Sequence, residues 1–162
     1  MRISSDCGRV FGIWCVCTAV LAATAAAHEI IAKDLQIVHP YTTEPGEPAQ
    51  TTTPVYMVIR NTGAQADRLL SARSPFAKTV SIVGKTPAGA IAIVDGGIDL
   101  PAHSETVVGP STRFLRLDGL TEALQGYQYV PITFVFENAG TVEGEIYVED
   151  ATDQPAPQAK TN

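Results

Sequence analysis

Apolar and polar residues alternate along most of the chain, and the alternating runs are separated by glycine, proline and asparagine. In the run from Tyr129 to Glu137, every second residue from Val130 to Phe136 is a large apolar one. A period of two residues predicts β-strands with one buried face, and turn residues about every ten positions are typical of an antiparallel β-sandwich or barrel. The sequence therefore predicts a single all-β domain.

The predicted strands are short and cover residues 35–39, 54–60, 68–72, 79–83, 90–94, 113–118, 129–137 and 142–148. Pro40 is expected to end the first of them, and a loop is expected from Thr42 to Thr53. The segment from Leu120 to Leu124 is the only one with a hint of a helical turn.

Side-chain parity matters most in the strand at 113–118. Alternation places Leu115 and Leu117 on the core face, and it places Phe114, Arg116 and Asp118 on the opposite face.

The first 27 residues have the pattern of a secretory signal peptide. Two arginines precede the apolar run Val10–Leu21, and Ala25 and Ala27 have the spacing that signal peptidase prefers. An uncleaved anchor is the alternative, but the apolar run is short for a membrane span. We predict a signal peptide at 1–27, a domain at 28–149 and a disordered tail at 150–162, in a periplasmic protein without stable membrane insertion.

The positions of the cysteines and the net charge exclude further kinds of site and partner. All three cysteines lie within the predicted signal peptide, and Cys15 follows the bulky Ile13 and Trp14, which do not fit a lipoprotein cleavage site. The mature chain would therefore have no disulfide and no thiolate metal ligand. The whole chain has a net charge of −6, which argues against nucleic acid as a partner.

None of the common catalytic templates occurs in the sequence. It has no G-x-S-x-G elbow, no H-E-x-x-H, and neither a phosphate-binding nor a dinucleotide-binding glycine motif. The three histidines, His28, His39 and His103, are far apart in the sequence. We therefore predict a protein that is not an enzyme.

The order of several short segments resembles the PCuAC-type periplasmic copper chaperones. The matching segments are His39-Pro40-Tyr41 with Pro45-Gly46, residues 56–63, residues 66–75, residues 95–102, residues 119–124 and residues 130–140. The resemblance spans residues 28–148 and implies a cupredoxin-like antiparallel β-sandwich with Greek-key connections. It also implies periplasmic Cu(I) binding and delivery towards cytochrome oxidase, with an oxidase assembly protein or another periplasmic protein as partner.

The family binds Cu(I) with a His, a Met and a later H-x-M pair, since thioether and imidazole suit a soft ion. At the matching positions this sequence has Val83, Ile91, Phe114 and Arg116, none of which is a ligand for copper. A one-residue slip would place Arg113 and Leu115 at the H-x-M pair instead, with the same outcome.

Copper could still bind to other residues, although the family's ligand positions do not support copper binding. Cleavage after Ala27 would make His28 the N-terminal residue, whose amine and ring could chelate Cu(II) together with His39. Structural roles are the alternative for both histidines: His28 at a frayed terminus, and His39 bonded to a backbone group. We interpret Met57 as a core residue and His103 as a solvated turn residue.

Two functions remain open from sequence. One is a copper-chaperone-family protein with degenerate copper ligands. The other is a metal-free binding module that uses the former metal face, with Phe114 and Arg116, for protein contact. An ordinary exposed strand is the structural alternative for that face.

Overall fold

The computed structural model describes residues 29–43 and 51–150, which form eleven β-strands and contain no helix. The predicted signal peptide, His28, most of the predicted 42–53 loop and the tail from residue 151 lie outside the described residues. The strands are β1 (Glu29–Ala32), β2 (Leu35–Thr43), β3 (Thr52–Asn61), β4 (Asp67–Arg73), β5 (Ala77–Lys85), β6 (Ile91–Ile93), β7 (Ile98–Leu100), β8 (Ser104–Val108), β9 (Arg113–Leu120), β10 (Tyr129–Phe136) and β11 (Thr141–Glu149).

The strands form one curled sheet in the order β6-β5-β9-β3-β2-β11-β10-β4-β7, with β1 added to β2 and β8 added to β3. Strand β3 pairs with β9 through its first half and with β8 through its second half, so the sheet folds over on itself. All pairs are antiparallel except β2 with β11, which run parallel. The all-β, cupredoxin-like prediction is confirmed, with a mixed rather than purely antiparallel sheet.

The predicted end of the first strand at Pro40 is wrong, because β2 continues to Thr43 through a bulge. Val38 pairs with Val58 and Tyr41 pairs with Tyr56, so β2 has one residue more than β3 between these pairs. The extra residue reverses side-chain parity: Leu35 and Ile37 are buried before the bulge, whereas Pro40 and Thr42 are buried after it.

Three short strands were not predicted, namely β1, β7 and β8, because three to five residues carry too little periodicity. The predicted helical turn at Leu120–Leu124 is also wrong: β9 ends at Leu120, and the next residues form a bend. Leu124 is nevertheless buried and joins the core.

Most of the core lies on the inner face of the curled sheet, where the longer strands contribute every second residue, and Val83 and Phe114 extend it on the outer face. Its largest fully buried side chains are Phe134, Ile37, Ile59, Leu69, Leu100, Leu115, Leu117, Ile132, Ile146, Val55, Val83 and Val108. Met57 is 3% exposed and belongs to this core, as predicted.

The Asn61-Thr62-Gly63 turn after β3 is fixed by one buried amide. The Asn61 Nδ2 group donates to the carbonyl oxygens of Gln65 (2.8 Å) and Leu100 (3.0 Å), and its Oδ1 accepts from the Gly63 amide. Because every polar atom of the side chain has a partner, the burial of Asn61 stabilises the turn and joins it to β7.

Candidate functional site

The four positions that the sequence match assigned to the family's copper ligands lie on the outer face of β5, β6 and β9. Val83 on β5 pairs with Phe114 on β9, and Ser81 pairs with Arg116 two residues along. On the other side, Val83 pairs with Ile93 on β6. The pairing therefore brings Val83, Phe114 and Ile93 into one row across three strands.

Ile91 lies farther from this row than the sequence match implied. The strand pairing places Ile91 opposite Lys85 and Ile93 opposite Val83. The β6 residue that faces Val83 is thus Ile93, two residues beyond the one identified from sequence. Both are isoleucines, so neither supplies a copper ligand.

Phe114 and Val83 do not form the exposed surface that strand parity predicted. Leu115 and Leu117 face the core as expected, but Phe114 on the opposite face is only 4% exposed and Val83 is fully buried. The ring of Phe114 meets the ring of Tyr56 edge-on, with centroids 5.5 Å apart. Apolar side chains therefore occupy the volume at this position, and Phe114 is buried, whereas both roles considered for it, a recognition patch and an ordinary exposed strand, assumed that it is exposed.

Arg116 is held within the same face by an ion pair. Its Nε donates to Asp118 Oδ1 at 2.6 Å, and the Ser81 hydroxyl donates to Asp118 Oδ2 at 2.7 Å. About a third of the Arg116 side chain is exposed. The guanidinium is a fixed cation that is already neutralised by Asp118, and it cannot donate a lone pair to a metal.

The shifted sequence match, which places Arg113 and Leu115 at the H-x-M pair, also gives no copper ligands. Arg113 Nη1 donates to the carbonyl oxygen of Gly97, and Leu115 is fully buried. Gly97 has a φ of +76°, and a Cβ there would lie 2.5 Å from the Leu69 carbonyl oxygen, so the turn that receives Arg113 requires glycine.

His39 lies at the β2 bulge with a φ of +47° and points to the surface. Its Nε2 is 3.3 Å from Glu149 Oε1 on the neighbouring parallel strand β11, and its ring lies 5.0 Å from the ring of Tyr41. His39 thus contacts a side-chain carboxylate rather than the backbone group considered from sequence. His28 lies outside the described residues, and the register next to it pairs Glu29 with Val38.

His103 is exposed and lies in a turn with a φ of +51°, in agreement with its predicted role. It is far from His39 in the sheet, since it precedes β8, which pairs with the end of β3. Among residues 29–43 and 51–150, no three His, Cys, Asp or Glu side chains are placed to hold one metal ion.

Sequence reasoning missed an aromatic row on the outer face. Tyr129 pairs with Tyr147, Tyr147 with Tyr41, and Tyr41 with Tyr56, so four tyrosines occupy successive positions across β10, β11, β2 and β3. Ring centroids are 5.2 Å apart for Tyr129 and Tyr147 and 5.7 Å apart for Tyr41 and Tyr56. We call these four residues the tyrosine row; Phe114 continues it on β9.

Partial burial affects the two central phenols of the row. Burial raises the pKa of Tyr41 above its ordinary value of 10.0, and the charges of Glu149 and Tyr56 raise it further. Burial alone raises the pKa of Tyr56. Both side chains therefore favour the neutral form in the folded protein.

The profile of the LpqE-like family, whose description names a lipoprotein, matches residues 35–148, most of the chain. The chain belongs to the LpqE-like family. No curated protein sequence matches the chain with significance. Membership of this family supports an exported protein, and in the described residues no helix has the length and apolar character needed to cross a membrane.

Solved structures similar to this LpqE-like chain are PCuAC copper-chaperone domains. The copper-bound PCuAC domain from PmoF2 is 26% identical with a TM-score of 0.67, and the match covers 76% of this chain and 98% of that domain. The apo PCuAC domain from PmoF1 is 22% identical with a TM-score of 0.68, covering 76% and 99%. The Cu(I) form of DR1885 from Deinococcus radiodurans is 20% identical with a TM-score of 0.58, covering 78% and 83%.

These comparisons confirm the resemblance to PCuAC-type copper chaperones. The two structures with less than 25% identity establish the fold, and the PmoF2 domain adds a copper-bound neighbour at higher identity. Neighbours of this LpqE-like protein thus bind copper, whereas the described part of its own chain contains no His, Cys, Asp or Glu cluster for a metal.

Proposed function

We propose that this LpqE-like protein is a periplasmic member of the copper-chaperone group that does not hold Cu(I) at the family's ligand position. The pairing of Val83 with Phe114 carries this proposal, since one is fully buried and the other is 4% exposed. Cu(I) needs thioether, thiolate or imidazole ligands, and neither of these side chains has a donor atom. The role we propose is binding rather than catalysis.

Copper would instead bind at the N-terminal end of the domain, through His28 and His39. Removal of a signal peptide at 1–27 would free the amine of His28. Glu29, the residue after His28 in the sequence, pairs with Val38, so this described end of β1 lies next to His39. Glu149 Oε1, 3.3 Å from His39 Nε2, adds an oxygen donor. Nitrogen and oxygen donors suit Cu(II), so the site would prefer Cu(II) to Cu(I).

Delivery of copper towards cytochrome oxidase, through an oxidase assembly protein or another periplasmic protein, is the role we assign on the basis of the fold shared with PCuAC domains. The corresponding mature chain would consist of the domain at 28–149 and a disordered tail at 150–162.

Mass spectrometry of the exported protein tests the proposal in one measurement, because it gives both the N-terminal residue and any bound metal. We expect His28 as the first residue and one Cu(II) per chain. His39→Ala should lose the copper, whereas His103→Ala, another exposed histidine at positive φ, should keep it. Retention of Cu(I) by wild type and by His39→Ala alike would contradict the proposal.

A metal-free binding module is the second candidate, and the Arg116–Asp118–Ser81 network favours it. The network places a permanent, neutralised cation at a position where relatives need a soft ligand. This candidate predicts no copper above background and no rise of the melting temperature when either copper ion is added.

A further inference from the structure

The outer face of β2, β10 and β11 combines the tyrosine row with negative charge. None of these three neighbouring strands contains a lysine or an arginine. Strand β11 carries Glu143, Glu145 and Glu149 at alternate positions, on the same side as Tyr147. Glu145 and Glu149 therefore flank Tyr147 along the strand, each about 7 Å away.

Two carboxylates of this face, those of Glu143 and Glu145, lie open to solvent. Glu143 and Glu145 are exposed, and neither forms an ion pair with a described residue. The aromatic surface next to them is open as well, since Tyr129 is 45% exposed and the nearby Tyr127 is 58% exposed. The former metal face, in contrast, is closed by the burial of Phe114 and by the Arg116–Asp118 pair.

We infer that the tyrosine row with Glu143 and Glu145 is a docking surface for an extended, arginine-bearing segment of a partner protein. A guanidinium is planar, so it stacks on a phenol ring while its N–H groups donate to carboxylates at the ring's edges. Tyr147 with Glu145 two residues before it on β11 offers this combination. Tyrosines also supply large contact areas at interfaces with few rotatable bonds.

Charge decides between a polypeptide and a carbohydrate as the occupant. A row of aromatic rings also stacks on neutral sugar rings, and carboxylates accept hydrogen bonds from sugar hydroxyls, but a neutral sugar gains no Coulomb attraction from this negatively charged face. A cationic segment gains from both features. This inference requires no copper and goes beyond the proposed function.

Binding of fluorescent peptides to chelator-treated, full-length mature protein tests the inference without any contribution from copper. The probes are a peptide of alternating arginine and glycine, its lysine counterpart, and a chitin-derived oligosaccharide as the neutral alternative. We expect the arginine peptide to bind about threefold more tightly than the lysine peptide, because only arginine stacks and donates at the same time. Binding should weaken as salt is raised.

Matched variants locate the surface. Glu143→Gln with Glu145→Gln should weaken arginine-peptide binding about fivefold, through the loss of two rim charges. Asp95→Asn with Glu122→Gln removes the same charge from exposed positions elsewhere and should leave the affinity unchanged. Tyr129→Leu should weaken binding about threefold, whereas Tyr129→Phe should keep it. Melting temperatures verify that all variants fold.

Three results would overturn the inference. The first is no binding of the arginine peptide at low ionic strength. The second is an equal loss of affinity in the control pair Asp95→Asn with Glu122→Gln, which would mean that total charge alone attracts the peptide. The third is binding of the oligosaccharide but not of the peptide.

Discussion

Val83 and Phe114 are direct cross-strand partners at two positions where PCuAC-type relatives are expected to carry copper ligands, and both are almost completely buried. A copper ligand must leave room for the ion, whereas these two side chains fill that room together with the ring of Tyr56. Apolar side chains thus make this part of the outer face a second packed layer.

Truncation of Phe114 should therefore be costly, although the residue lies on the outer face. We expect Phe114→Ala to lower the free energy of unfolding by about 3 kcal/mol, because it removes a buried ring and leaves a cavity beside Tyr56. Ile93→Ala is the control on the same row: Ile93 is 66% exposed, and its truncation should cost less than about 0.5 kcal/mol. Urea unfolding measures both, and equal costs would contradict the packed layer.

Introducing the family's ligands on this face should create a Cu(I) site. The variant with Val83→His, Ile93→Met, Phe114→His and Arg116→Met places two imidazoles and two thioethers on one face of β5, β6 and β9. We expect it to take Cu(I) from a chromophoric chelator that wild type leaves untouched. Bound Cu(I) at about 100 times its Kd should stabilise the variant by about 2.7 kcal/mol.

A second fourfold variant serves as the control for the first. It carries Ile91→Met in place of Ile93→Met and is otherwise identical. Because Ile91 pairs with Lys85 rather than Val83, its thioether should lie too far along the strand to complete the site, and Cu(I) should bind more weakly. Tighter Cu(I) binding by the Ile91→Met variant would favour the position identified from sequence, and equal affinity would mean that the thioether contributes to the site from neither position.

The sequence could predict the fold class because a period of two residues is a local signal. Leu115 and Leu117 face the core as their alternation predicted. The burial of Phe114 was not predictable in the same way, since it depends on Tyr56, which is 58 positions earlier in the chain and adjacent only through the pairing of β3 with β9.

The tyrosine row, like the burial of Phe114, could not be predicted from local periodicity. The chain has five tyrosines, at positions 41, 56, 127, 129 and 147, and four of them share one row. Their alignment depends on three strand registers, one of them parallel, and on the bulge at His39 and Pro40. None of these can be obtained from local periodicity, because a one-residue shift of register would put the rings on opposite faces.

Asp67 should stabilise the turn after β10. Its Oδ1 accepts from the backbone amides of Arg68 (2.7 Å) and Asn138 (2.9 Å), and its Oδ2 accepts from the Ala139 amide at 2.8 Å. In Asp67→Asn the new NH2 group would face an N–H donor, so we expect the free energy of unfolding to fall by about 2 kcal/mol.

Asp99→Asn is the control for Asp67, since it removes a carboxylate that pairs with Arg68 at the surface. The Asp99 side chain is 71% exposed, so its loss should change the free energy of unfolding by less than about 0.5 kcal/mol. Chemical denaturation of both variants measures the two changes in the free energy of unfolding. If Asp67→Asn proved as stable as Asp99→Asn, the amide contacts of Asp67 would contribute no net stability.

The protein should lose stability in alkaline solution through the central phenols of the tyrosine row. Burial raises the pKa of Tyr41 and Tyr56 in the folded state, so the folded protein holds these protons more tightly than the unfolded chain does. Their contribution is fully present below the ordinary tyrosine pKa of about 10 and is lost as the pH rises through the raised folded values. Tyr41→Phe combined with Tyr56→Phe should therefore flatten the fall of the urea midpoint between about pH 9 and pH 11.

Substitution of Glu149 should change the pKa of Tyr41 alone, because the negative charge of Glu149 is the second cause of the raised pKa of Tyr41 after burial. Glu149→Gln should lower the pKa of Tyr41, and the ultraviolet absorbance of ionised tyrosine should show one phenol that titrates earlier than in wild type. The same substitution leaves Tyr56 with its burial, so the pKa of Tyr56 should stay raised. An unchanged titration curve in Glu149→Gln would mean that the carboxylate does not act on the phenol, although the parallel pairing of Tyr147 with Tyr41 brings β11 next to β2 there.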